Sequence, residues 1–150
     1  MKVLATVLGG GMAGRLFAEL RDKQALAYTA NAFYDAVREP GALILYLGTV
    51  LENAARTEAA LGKEIERVRT QPVTSDELNR AKSYLLGNYA MDRRTNARLA
   101  WYLTLYEIEG VGQGFPDGYR RAVEAVTPED ILRVARTYLG TLTTVVLQPR

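Results

Sequence analysis

The sequence predicts an α+β domain in which antiparallel strands pack against a layer of helices. Three observations carry that expectation. Two runs suited to strands, 26–37 and 42–49, flank Glu39-Pro40-Gly41, a turn signal, and most simply form an antiparallel hairpin. About 90 residues of helical periodicity follow, punctuated by capping and Pro/Gly signals. A Thr- and Val-rich run, Thr141 to Leu147, reads as a closing strand that returns to the sheet across the helices.

Each element has its own basis. Residues 1–8 are uniformly apolar and fit either a strand or the end of a helix. Gly9, Gly10 and Gly11 break the chain. From Met12 to Lys23, Leu16, Phe17 and Leu20 recur at helical spacing among Arg15, Glu19, Arg21 and Asp22, so a short amphipathic helix is expected. Tyr28, Thr29, Phe33, Tyr34 and Val37 suit the first strand, and Ala42 to Thr49 the second. Ala55, Ala59, Ile65 and Val68 place a helix from Glu52 to about Arg69, ended by Gln71-Pro72. Thr74-Ser75-Asp76-Glu77 is a capping box that opens a long helical stretch through Leu78, Ala81, Leu85 and Tyr89. That stretch is expected to bend or break near Met91–Thr95, then continue through Leu99, Tyr102, Leu103 and Tyr106. Gly110, Gly112 and Gly114 make a loop, and 115–125 a short helix. Thr127-Pro128-Glu129-Asp130 starts the last helix, with Pro where a missing amide costs nothing, and that helix ends near Tyr138-Leu139-Gly140. A sheet of three strands is thin, so further strands are expected before Met1.

Composition narrows the function. The 150 residues suit a single domain, 1–150, with a real core. Apolar side chains make up 48% and charged ones 24%, an ordinary globular balance. A net charge of +2 without a basic run gives no footprint for nucleic acid. No apolar stretch approaches the length of a membrane span, and the first eight residues are too short for a signal peptide. There is no Cys and no His, so thiol chemistry and the usual zinc ligands are missing. The carboxylates Glu64, Glu66, Glu107 and Glu109 lack a His neighbour and are assigned no metal. Arg93, Arg94 and Arg98 read as a solvated face, and Trp101, Tyr102 and Tyr106 as helix packing.

Gly9-Gly10-Gly11-Met12-Ala13-Gly14 fits G-x-G-x-x-G, and Asp35 follows Gly14 by 21 residues, as in a dinucleotide-binding fingerprint. A Rossmann unit should continue with parallel strands and crossovers, whereas a hairpin and a long helical stretch follow. The competing reading is that the glycines end one helix and start the next where backbones approach closely.

Further along, the residues carry a resemblance. Val-Leu-x-x-x-Leu-Gly-Gly-Gly-Met-x-x-Arg-Leu-Phe-x-Glu-Leu-Arg-x-Lys-x-x-Leu-Ala-Tyr resembles the C-terminal half of a domain of the insulinase/pitrilysin-like zinc metallopeptidases, which include mitochondrial processing peptidase. In order and spacing, Tyr46-Leu47-Gly48-Thr49, Glu52-Asn53, Val73-Thr74-x-x-Glu77-Leu78-x-x-Ala81-Lys82, Val126-Thr127-Pro128-Glu129-Asp130-Ile131 and Val134-Ala135-Arg136-Thr137-Tyr138-Leu139 agree with it. The resemblance spans essentially the whole chain. It implies a LuxS/MPP-like two-layer sandwich, truncated at its N-terminal side.

Such peptidases cut extended peptides in a chamber made of two similar halves. One half carries His-x-x-Glu-His and a downstream Glu; the other supplies an Arg and a Tyr seven residues apart that hold the substrate backbone. Arg21 and Tyr28 have that spacing. The resemblance therefore implies a non-catalytic, substrate-binding domain or subunit, with zinc on a partner half or an upstream domain and no catalytic or metal residue in this chain. Guanidinium and phenol can both donate to a peptide carbonyl. The implied partners are a peptide substrate and a zinc-binding half, or self-association. Without the resemblance, Arg21 reads as a surface residue pairing with acids and Tyr28 as a strand core residue. Two other functions stay open: a structural or assembly subunit without peptide binding, and a dinucleotide-binding module through Gly9–Gly14. Bacterial cytoplasm and periplasm are both compatible with the sequence.

Overall fold

The first apolar run forms a helix, α1 (Lys2–Gly9), and the rest of the chain is arranged around it. Val3 through Gly9 are all buried, so α1 is enclosed on every side. That is why its pattern fitted strand and helix equally: full enclosure removes the polar stripe that would reveal the period. The computed structural model describes residues 1–35 and 41–148.

After α1 a 3₁₀ turn, Gly11–Ala13, leads into a π-helical segment, Phe17–Lys23, where a regular amphipathic helix was expected. Next comes the hairpin: β1 (Thr29–Asp35) pairs antiparallel with β2 (Ala42–Gly48), with Thr29 opposite Gly48 and Asp35 opposite Ala42. Glu39 and Pro40 of the expected turn lie outside the described residues. Leu43, Leu45 and Leu47 face the core, while Ile44 and Tyr46 face outward. The helical portion is α2 (Ala54–Thr70), α3 (Ser75–Asp92), α4 (Asn96–Ile108), α5 (Phe115–Ala125) and α6 (Pro128–Tyr138). Thr74 forms the predicted capping box with Glu77, and at the predicted start of the last helix Thr127 forms a second one with Asp130. α3 and α4 are separate helices, broken where expected, at Arg93–Thr95.

α1 packs against β1, α3 and α6; α2 packs on α6, and α3 on α5. The core they share includes the fully buried Leu4, Leu8, Leu16, Leu20 and Val68. The architecture is α+β, mostly helical, with a two-stranded antiparallel sheet.

One expected element is missing. Thr141–Leu147 forms no strand, and the described hairpin gains no third member. Val145 and Leu147 are 78% and 91% exposed. A strand needs a ladder partner for its amides and a surface for its side chains, and this segment has neither among the described residues.

Candidate functional site

The π-helical segment ends in a left-handed C-terminal reversal. Leu26 N–H donates to the Leu20 carbonyl (2.8 Å) and Ala25 N–H to the Arg21 carbonyl (3.0 Å). Ala25 is the left-handed residue, with φ +49°, a place usually given to Gly. Leu20 and Leu26, which flank the reversal, are both buried. The reversal sends the chain back past Arg21 into β1, and Tyr28 N–H closes the strand pair on the Gly48 carbonyl at 2.8 Å.

Arg21 and Tyr28 are thereby brought together. The Arg21 guanidinium carbon lies 4.4 Å from the Phe17 ring centroid and 5.4 Å from that of Tyr28. Tyr28 is 78% exposed, so it is not the core residue that strand periodicity alone suggests. Arg21 has no carboxylate within 4.0 Å among the described residues, so it is not consumed by a surface ion pair. The two side chains border a groove of about 540 Å³, also lined by Gly48, Thr49, Val50 and Asn53. The groove's floor is fixed by hydroxyls that sequence reading missed. Thr49 Oγ1 and Thr57 Oγ1 both donate to the Leu26 carbonyl, at 2.5 and 3.1 Å. Thr57 is buried on α2, so the reversal, β2's exit and α2 are tied at one oxygen. A buried Thr on a helix is an unremarkable residue in a sequence, which is why the pattern did not disclose it.

The glycine run has a packing role. A Cβ on Gly9 would lie 2.0 Å from the Ala32 nitrogen, and one on Gly14 within 2.9 Å of Gly9 and Gly10 backbone. α1 thus crosses β1 backbone to backbone. The dinucleotide fingerprint needs a strand feeding the glycine turn within a parallel sheet; here a helix feeds it and the sheet is antiparallel. Asp35 ends β1, but its side chain lies outside the described residues. Just past the glycines, Arg15, 6% exposed, meets the Glu77 carboxylate through Nε (2.7 Å) and Nη2 (3.2 Å). The Arg15 hydrogen bond is the main cause holding Glu77 down at about 2, with the Thr74 amide assisting against burial.

Arg93 corrects another expectation. Its guanidinium is sandwiched between the Tyr89 and Tyr102 rings at 3.5 and 3.4 Å from their centroids, and Nε donates to Tyr106 Oη at 3.0 Å. It is a clasp between α3 and α4 and not part of a solvated face. Arg98 stays at the surface, paired with Asp92 at 2.5 Å. Tyr106 does pack between helices, its Oη 2.9 Å from that of Tyr89 on α3 and its ring 4.8 Å from Phe115 on α5; Tyr102 stacks on it along α4 at 6.1 Å, whereas Trp101 is 53% exposed.

The described residues offer no site that fits a zinc ion. The chain lacks His and Cys, and no group of three Asp or Glu side chains converges among the described residues. Glu64 is buried on α2 and lies 3.6 Å from Arg67. No helix of the described residues is long and apolar enough to cross a membrane.

Residues 1–85 match the family described as the Peptidase M16 inactive domain. The chain belongs to the M16 family. A protein of Streptomyces coelicolor named an uncharacterized zinc protease is 31% identical over 140 residues, covering 93% of this chain and 30% of that protein. A Rickettsia bellii protein, also named an uncharacterized zinc protease, is 26% identical over 157 residues, covering 99% of this chain and 36% of the relative. The chain thus spans about a third of the length of the curated relatives it matches. Among solved structures, a peptidase M16 inactive domain from Pseudomonas fluorescens superposes with a TM-score of 0.74 at 22% identity, over 91% of this chain and 32% of that one. A conserved protein from Enterococcus faecalis superposes at 0.79, also at 22% identity, over 89% of this chain and 31% of that one. These likenesses carry the M16 inactive-domain fold.

Proposed function

We propose that this M16 chain forms one domain, 1–150, that is the substrate-holding, non-catalytic half of a zinc protease, with the metal on a partner half or subunit. The observation that supports the reading is the convergence of Arg21 and Tyr28, 5.4 Å from guanidinium to ring, over a groove at the end of β2. Arg21 is free of acidic partners among the described residues, and the Tyr28 ring is exposed, so both can turn their donors toward a ligand. An extended peptide adding to a sheet edge would present its carbonyls here, and the two donors would hold one near the bond to be cut. Chemistry at the bond is left to the metal-bearing half.

The test is peptide turnover by the assembled protease carrying Arg21→Ala or Tyr28→Phe. Each variant is expected to lower kcat/KM by about 10- to 100-fold while zinc content is unchanged. Wild-type turnover in both would sink the reading and leave a structural subunit that binds no peptide.

A further inference from the structure

The path of the backbone from Arg21 to Tyr28 decides where the two side chains point. That path is strained at Ala25, whose φ of +49° an L residue keeps only where its surroundings over-determine it. The contacts that do so converge on Leu26, the residue after the strained one and 3% exposed. Its N–H donates to the Leu20 carbonyl at 2.8 Å. Its carbonyl takes two hydroxyls, from Thr49 at 2.5 Å and Thr57 at 3.1 Å.

Thr57 is the unusual donor. It lies in the first turn of α2 and is 3% exposed. A helical threonine ordinarily returns its proton to the carbonyl one turn back in its own helix. Here the proton goes to a residue 31 positions away in the chain. The Thr57 hydroxyl also lies 3.3 Å from that of Thr49. Thr49 follows Gly48, which accepts from Tyr28 N–H at 2.8 Å and whose added Cβ would lie 2.4 Å from Thr29 Oγ1. One wall of the groove is 25–29 and the other is 48–50 with Asn53. A single buried hydroxyl on α2 therefore touches both walls, although Thr57 does not line the groove.

We propose that Thr57, acting with Thr49, is a positioning residue for substrate. The two hydroxyls set the separation of the groove walls, and so the direction in which Arg21 and Tyr28 present their donors. This assignment rests on the substrate-holding reading of that pair. Thr57 touches no substrate; it acts through the Leu26 carbonyl. Donors to a reacting carbonyl must be held within about 0.5 Å, so a small change in wall separation costs rate before it costs folding.

The test is made on the assembled protease. Thr57→Val removes the hydroxyl and keeps the shape, whereas Thr57→Ser keeps the hydroxyl and loses a methyl. Both disturb a buried site, so both should lower the thermal midpoint modestly. Only the valine variant should lower kcat, by about tenfold, with zinc content unchanged; the serine variant should stay within about twofold of wild type. Thr49→Val removes the other donor from an exposed position, where folding is not at stake, and should show the same loss. In an Arg21→Ala, Tyr28→Phe background, Thr57→Val should cost no further turnover, because the groups it positions are gone. Equal losses in the valine and serine variants would make Thr57 merely structural and overturn the proposal. So would a valine effect that persists in full in the double background, or full turnover in Thr49→Val. Full turnover in Thr57→Val, with Arg21→Ala and Tyr28→Phe still slow, would overturn this proposal alone. Wild-type turnover in those last two variants would overturn the substrate-holding reading, and this one with it.

Discussion

Ala25 carries a cost that the groove depends on. At φ +49° its Cβ crowds the backbone, a strain of about 1 kcal/mol that Gly would not bear. Ala25→Gly should therefore be neutral to stabilising, by up to about 1 kcal/mol in urea denaturation, offset in part by a more flexible unfolded chain. Sequence reading could not see this reversal, because its usual marker is a Gly and the position holds an Ala. Arg21 and Tyr28 were singled out only by the family resemblance, whose seven-residue spacing they share; the Thr49 and Thr57 hydroxyls beside them carried no such signal. Glu77 has a double task, capping α3 and pairing with buried Arg15. Its folded pKa, about 2, lies below its ordinary 4.5. The stability it contributes is complete above pH 4.5 and is lost as pH falls toward 2. Glu77→Gln should cost about 2–3 kcal/mol at pH 7, by leaving Arg15 unpaired, and should flatten the acid limb of the stability profile.

Among the elements, those with local chemistry were readable. The Thr74 capping box, the helix start at Thr127 and the Arg93–Thr95 break fell where their residues placed them, because a cap is satisfied within one turn of chain. The misjudged elements depend on distant partners. α1 is helical because it is wrapped on all sides, and 141–147 forms no strand because no strand flanks it among the described residues. The π-helical segment ends at the Ala25 reversal, which its sequence did not mark with a Gly. α1 and β1 meet at Gly9, where a Cβ would lie 2.0 Å from a backbone nitrogen that cannot rotate away. Gly9→Ala should thus destabilise by about 3 kcal/mol or more, or prevent folding, as followed by thermal unfolding; overpacking of backbone has no side-chain relief.

At the scale of the whole molecule, α1 gathers the sheet and two helices into one core, while α4 stands apart from it. α4's sequence is largely apolar, yet Leu99, Trp101 and Ile108 are exposed, and it is fastened through Tyr106 and the Arg93 clasp. Stability should therefore be uneven across the fold. The α+β class was legible from the hairpin and the helical caps; the peripheral position of α4 was not, because an apolar helix ordinarily reads as core. Trp101 is the sole tryptophan, 53% exposed, edge-on to Tyr102 at 4.8 Å with Arg98 nearby. It is consequently a built-in optical reporter of this one helix. Native emission should be red-shifted and open to acrylamide quenching. In a denaturant titration the fluorescence midpoint should precede the far-ultraviolet dichroism midpoint; coincident curves would mean that α4 unfolds with the core. Any partner that covers α4 would then announce itself as a blue shift, readable without a label.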